Sequence, residues 1–145
     1  MILYLDTSAL VKRYVAEAGS ADVNAWIETA EVLMTSLLTR AEMAAALNRL
    51  HRMNVMDQIE TQRILGVFHE EWESLLRLPV TEMTVQRADR LTSLHDLRAY
   101  DAVHLATGLI WRETTTHLTH FATYDRILWQ AARSEGLAVL PEMMP

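Results

Sequence analysis

Four acids in this chain carry the types and placements that chemistry on a phosphate would need: Asp6, Glu42, Asp101 and Asp125. Asp6 ends the apolar run Ile2-Leu3-Tyr4-Leu5 and is followed by Thr7-Ser8. Asp125 follows Phe121-Ala122-Thr123-Tyr124, with the Thr123 hydroxyl two residues before it. Glu42 and Asp101 open helical patterns. Oxygen ligands in a chain with no cysteine suit a hard cation, Mg²⁺ or Mn²⁺. Without a cation, four converging carboxylates would repel and at least one pKa would rise. With a pair of ions, one can activate a water while the other stabilises a leaving oxygen. The chemistry implied is hydrolysis of a phosphodiester.

Each acid also has an ordinary structural role open to it. Asp6 and Asp125 precede helices and can cap them, a contribution of about 1 kcal/mol each. Glu42 closes the capping box Thr39-Arg40-Ala41-Glu42. Ala41, Ala44, Ala45 and Ala46 around it allow close approach of backbone or ligand. Asp101 suits the first turn of a helix dipole. Its helix, however, is apolar on nearly every side, with Ala102, Val103, Leu105, Ala106, Leu109 and Ile110. Such a helix is buried, and a carboxylate on it needs a partner or a metal. His104, one turn on, is expected to be a satisfied core histidine or to bond near Asp101.

The elements that must position these groups alternate along the chain. Apolar runs at Ile2–Leu5, Glu31–Thr35, Leu76–Val80, Leu118–Thr123 and Leu137–Leu140 predict strands. Helical spacing predicts helices over Ser8–Glu17, Ser20–Thr29, Leu38–Met53, Asp57–Leu75, Glu82–Leu94, Ala99–Arg112 and Ile127–Glu135. Ser20 is expected to cap the second of these. The alternation argues a parallel sheet covered on both faces. In such sheets ligands bind outside the carboxyl ends of the strands. If the strands of Asp6 and Asp125 are neighbours, all four acids can meet at that edge.

The bulk properties are those of a folded chain. Of its 145 residues 50% are hydrophobic and 22% charged, with four glycines and three prolines that do not cluster. A single domain over residues 1–145 is the expectation. No apolar run reaches the length of a membrane span, and the start of the chain lacks the basic leader of a signal peptide. The formal charge of −6 disfavours a binder that works by neutralising phosphates with a basic groove. It does not disfavour a nucleic-acid enzyme whose bound cations invert the local field.

Taken together, Asp6-Thr7-Ser8-Ala9-Leu10-Val11-Lys12, Ala41-Glu42, Leu97-Arg98-Ala99-Tyr100-Asp101-Ala102-Val103-His104-Leu105-Ala106 and Thr123-Tyr124-Asp125-Arg126-Ile127-Leu128 resemble the PIN domain. The resemblance spans the whole chain and is nearest to the VapC-like toxin ribonucleases of bacterial toxin–antitoxin pairs. It implies an α/β, Rossmann-like three-layer sandwich with a five-stranded, mainly parallel sheet. It implies an endoribonuclease dependent on Mg²⁺ or Mn²⁺, with Asp6, Glu42, Asp101 and Asp125 as catalytic metal ligands and Ser8 and Thr123 as supporting hydroxyls. It further implies an RNA substrate, a homodimer, a cognate antitoxin and a prokaryotic cytoplasm. Some members carry another acid just after the fourth; here Arg126 and Ile127 stand there, which leaves a second metal position less defined. The stretch from Asp101 to Asp125, with Thr114-Thr115-Thr116-His117, is expected to hold an extended loop.

Rival readings are weaker. A haloacid-dehalogenase-type phosphatase needs a second Asp two residues after the first, where this chain has Ser8. His117 and His120 have zinc-like spacing but no cysteine or helical Glu beside them. Met43, Met53, Met56 and the tryptophans at 26, 72, 111 and 129 are expected in the core or in a dimer contact. Phe68 and Trp72 could instead extend a partner surface. The alternative to an enzyme is a degenerate PIN fold that acts as a protein-binding module.

Overall fold

The computed structural model describes residues 1–115 and 117–145. Its strands are β1 (Ile2–Leu5), β2 (Val32–Ser36), β3 (Leu76–Leu78), β4 (Thr119–Ala122) and β5 (Ala138–Leu140). Between them run α1 (Thr7–Tyr14), α2 (Ser20–Thr29), α3 (Thr39–Arg52), α4 (Gln58–Glu71), α5 (Glu82–His95), α6 (Ala99–Thr115) and α7 (Arg126–Ser134). The strands form one sheet in the order β3-β2-β1-β4-β5, and every pairing is parallel. This is the three-layer α/β architecture implied by the resemblance.

The period-two alternation of β1 splits the core. Leu3 and Leu5 face one cluster, with Leu10 of α1, Val23 of α2, Leu47 of α3 and Phe68 of α4. Tyr4 faces the other, with Leu91 of α5, Leu105 and Leu109 of α6 and Leu128 of α7. A strand buried on both faces is what a parallel sheet between helical layers requires. Gly108 lets α6 come close to the sheet: a Cβ there would lie 2.9 Å from the Phe121 ring on β4.

The strand order decides where a ligand can sit. From β1 the chain winds outward through β2 and β3, then returns to the other side of β1 as β4 and continues to β5. The winding therefore reverses between β1 and β4, and the crevice beyond their carboxyl ends is the switch point of the sheet. Asp6 follows β1 and Asp125 lies just beyond β4, so both acids flank that crevice.

Several boundaries differ from the sequence expectation. α1 stops at Tyr14, and α2 is preceded by Gly19 in the left-handed region (φ 89°) rather than capped by Ser20. The Ser20 hydroxyl instead donates to the Val15 carbonyl, tightening the turn between the two helices. The long helix after Asp57 ends at Glu71 and continues as a 3₁₀ turn over Trp72–Ser74. The predicted loop between Asp101 and Asp125 is largely helix, because α6 continues through Thr115; Thr116 lies outside the described residues. Phe68 and Trp72 are buried, so they belong to the core and not to a partner surface. Met43 and Trp129 are buried as expected, whereas Met53 is exposed. Among the described residues no helix is long and apolar enough to cross a membrane.

Candidate functional site

Asp6 is the most deeply placed acid, at 3% exposure. Oδ1 accepts from the Ala9 N–H at 2.8 Å, which caps α1. Oδ2 accepts from the Thr123 hydroxyl at 2.8 Å, and Ser8 Oγ lies 2.8 and 2.9 Å from the two oxygens. Each hydroxyl has one proton, and both are used on Asp6. Their lone pairs then accept the N–H groups of Tyr124 (Ser8 Oγ, 2.8 Å) and Asp125 (Thr123 Oγ1, 3.1 Å). Ser8 and Thr123 thus tie the end of β1 to the turn after β4. Burial is the main influence on the Asp6 carboxyl and pushes its pKa up to about 6, against the charge of His104, the Ala9 amide and the two hydroxyls.

Glu42 is not held by a capping box. Thr39 is buried and its hydroxyl pairs with that of Thr35 at 2.6 Å, while Leu38 occupies the cap position without a side-chain bond. This frees Glu42 to face the sheet edge. Its Oε2 accepts from Thr7 at 2.6 Å and lies 2.7 Å from His104 Nε2. His104 Nδ1 is 2.8 Å from the buried Tyr4 hydroxyl on β1. Burial alone would raise the Glu42 carboxyl, but the hydrogen bond and charge of His104 and the Thr7 hydroxyl bring it below its ordinary value. An ionised Glu42 only accepts, so His104 Nε2 donates to it, and the Tyr4 hydroxyl pairs with the other ring nitrogen. His104 is therefore the satisfied core histidine expected from sequence, but its partners are Tyr4 and Glu42, not Asp101. Thr7, which follows Asp6 in the chain, serves Glu42.

Asp101 and Asp125 share one partner. Arg98 Nε donates to Asp101 Oδ2 at 2.8 Å, and Arg98 Nη2 donates to Asp125 Oδ2 at 3.2 Å. Asp125 Oδ1 meanwhile caps α7 through the Leu128 N–H at 2.9 Å. Burial raises the Asp101 carboxyl, partly offset by the hydrogen bond and charge of Arg98, and the charge of Asp125 adds to the rise. The hydrogen bond to Asp101 in turn raises the Arg98 pKa, and the charges of Asp101, Asp125 and Glu42 add to it. Glu42, Arg98, Ala99, Tyr100 and Asp101 line a cavity of about 340 Å³.

Contacts through Thr7, Ser8, Thr123 and Arg98 link the neighbourhoods of the four acids, and Glu42 and Asp101 line one cavity with Arg98. The neighbouring strands β1 and β4 meet the condition for their convergence. Their donor chemistry fits Mg²⁺ or Mn²⁺: all are carboxylates, and a guanidinium already supplies positive charge between two of them. As they stand, no three His, Cys, Asp or Glu side chains among the described residues are grouped to hold an ion. The set fits the group but is not closed around it. That applies equally to His117, which is exposed, and to His120.

Sequence reasoning missed Arg98, Tyr4 and the tie between His104 and Glu42. Arg98 left a signal, standing just before α6 and three residues before Asp101. The tie from His104 to Glu42 links residues 62 apart and has no local signature.

The profile of the PIN domain matches residues 3–134. The chain belongs to the PIN domain family. Among its relatives, ribonuclease VapC46 of Mycobacterium tuberculosis is 33% identical over 138 residues, covering 95% of each chain. Ribonuclease VapC45 of the same species is 29% identical over 143 residues, covering 99% of this chain and 97% of the relative. A toxin–antitoxin complex from Klebsiella pneumoniae has the same fold, with a TM-score of 0.68 over 100% of both chains at 14% identity. In this PIN chain the Asp6 crevice lies at the edge where the α/β fold places ligands.

Proposed function

We propose that this PIN protein is a divalent-metal-dependent endoribonuclease, the toxin of a toxin–antitoxin pair. The observation that carries the reading is the buried Asp6, bound through Ser8 and Thr123 to the turn that presents Asp125. A carboxylate placed there at a cost in burial is explained by a cation that it serves. The names of the VapC relatives support RNA as the substrate, and the Klebsiella complex supports an antitoxin partner. A single domain over residues 1–145, a homodimer and a cytoplasmic location complete the proposal.

Asp6, Glu42, Asp101 and Asp125 would hold the Mg²⁺ or Mn²⁺. Such an ion, when bound, supplies a water of lowered pKa and charge stabilisation for the leaving oxygen. The chain's own residues do the positioning. Ser8 and Thr123 fix both oxygens of Asp6. Thr7 and His104 aim one oxygen of Glu42, and Tyr4 holds the His104 ring from behind. The Leu128 N–H fixes one oxygen of Asp125 and leaves the other for the crevice. In the reaction an oxygen of water bonds to phosphorus as one bridging P–O bond breaks, and the departing oxygen takes up a proton.

The test is cleavage of total cellular RNA by purified protein with Mg²⁺ or Mn²⁺, with the cut ends sequenced. Activity should stop with a chelator and be lost in Asp6→Asn and in Asp101→Asn, both still folded by circular dichroism. Cleavage that persists in either variant would remove the four acids from the reaction.

A further inference from the structure

We propose that Arg98 is a built-in, exchangeable counter-cation: it holds Asp101 and Asp125 until a divalent ion takes them, and the released guanidinium then binds the RNA phosphate. This rests on the nuclease reading above.

Three observations carry it. First, the guanidinium bridges two of the four acids, bonding Asp101 Oδ2 at 2.8 Å and Asp125 Oδ2 at 3.2 Å. For Asp125 this is the oxygen an incoming ion needs, because the other is committed to the Leu128 amide. The guanidinium thus stands where an ion would, and among the described residues no three acids are grouped around a common point. Second, the Arg98 side chain is 79% exposed, against 14% for Asp101 and 26% for Asp125. An arginine that far into water gives up its pairs at little cost, whereas the carboxylates cannot leave. A fixed structural bridge would be expected the other way round, with the arginine buried. Moreover, the segments it joins are held independently, α6 by its buried face and the turn after β4 by Ser8 and Thr123.

Third, the freed group has somewhere to go. Among the described residues, Arg98 is the one cation lining the 340 Å³ cavity beside Glu42 and Asp101. Tyr100, 61% exposed, lines the same cavity. In a chain of net charge −6, a polyanion approaching four carboxylates needs a cation at the mouth. A planar guanidinium fits a phosphate as well as a carboxylate. The same residue therefore neutralises the acids when they are empty and the phosphate when they are not.

The experiment compares wild type, Arg98→Gln and Arg98→Lys. Mn²⁺ binding is measured by calorimetry and by the rise in melting temperature on adding Mn²⁺, and KM and kcat on an oligoribonucleotide follow. Arg98→Gln should bind Mn²⁺ roughly fivefold more tightly, because its competitor is gone. Its Mn²⁺-induced rise in melting temperature should increase accordingly. Its KM should rise about tenfold with a smaller change in kcat, since a phosphate contact is lost. Arg98→Lys should fall between on both readouts. Mn²⁺ affinity unchanged or weakened in Arg98→Gln would overturn the proposal and leave the nuclease reading standing. No Mn²⁺ binding by wild type, with no metal-stimulated cleavage, would overturn both.

Discussion

Glu42 and Asp101 are about equally covered, at 19% and 14% side-chain exposure, yet they are held in opposite ways. Glu42, like Asp6, is gripped by uncharged hydroxyls and by an imidazole that is itself 1% exposed. Those partners sit on α1, on α6 and just after β4, and have no freedom to leave. Asp101 is gripped by a single guanidinium that stands mostly in water, and the same group holds the oxygen of Asp125 that Leu128 does not. Burial of a carboxylate therefore does not decide whether its place is fixed; the mobility of its partner does. One half of the site is set by the fold, and the other half is set by a charge that another charge can replace.

The contrast meets its hardest test at Asp6. Asp6→Asn keeps a residue that caps a helix well and removes a charge that burial disfavours. It should lower RNA cleavage by more than about a hundredfold while the metal-free protein melts no lower than wild type. A variant that cleaves normally, or that melts well below wild type, would mean that Asp6 serves the fold and not the reaction.

The pH dependence of the metal-free protein tests the same half. With its folded pKa raised to about 6, Asp6 favours folding in its protonated form. Its contribution is therefore full below the unfolded value near 4 and is lost as pH rises through about 6. The loss is on the order of 3 kcal/mol. Urea midpoints across that range should decline more steeply in wild type than in Asp6→Asn. Parallel curves would show that burial does not govern this carboxyl.

A smaller effect is expected one bond further out. Thr123→Val removes the proton on Asp6 Oδ2 and the acceptor for the Asp125 amide. It should lower kcat roughly tenfold and destabilise by about 1–3 kcal/mol. At the open half the expected cost is smallest. Arg98→Gln should change metal-free stability by less than about 1 kcal/mol, measured by urea denaturation. A larger loss would make Arg98 a structural strut and erase the distinction between the halves.

The order of strands and helices was legible in the sequence because burial on both faces of a parallel sheet leaves unbroken apolar runs such as Ile2–Leu5. The two strand-end acids were legible for the same reason: a charge that closes such a run stands out against it. Glu42 was misread locally. Thr39-Arg40-Ala41-Glu42 has every residue of a capping box, but the buried hydroxyl of Thr35 captured Thr39 instead. That window of four residues does not contain Thr35. The motif around Arg98 assigns it no role, since its second partner, Asp125, lies 27 residues away across a strand. What was lost in each case is a contact made by the fold, between residues whose neighbours in sequence carry no trace of it.

The double duty of the two strand-end acids has a practical consequence. Asp6 and Asp125 each give one oxygen to a helix amide, Ala9 and Leu128 respectively. Those two backbone protons sit one hydrogen bond from the charge of the site. Protonating, neutralising or loading either carboxylate must alter that bond, so the ¹H–¹⁵N resonances of Ala9 and Leu128 should move first and furthest in a pH or Mg²⁺ titration. The crevice carries its own spectroscopic reporters, one for each half, and can be watched without substrate or partner.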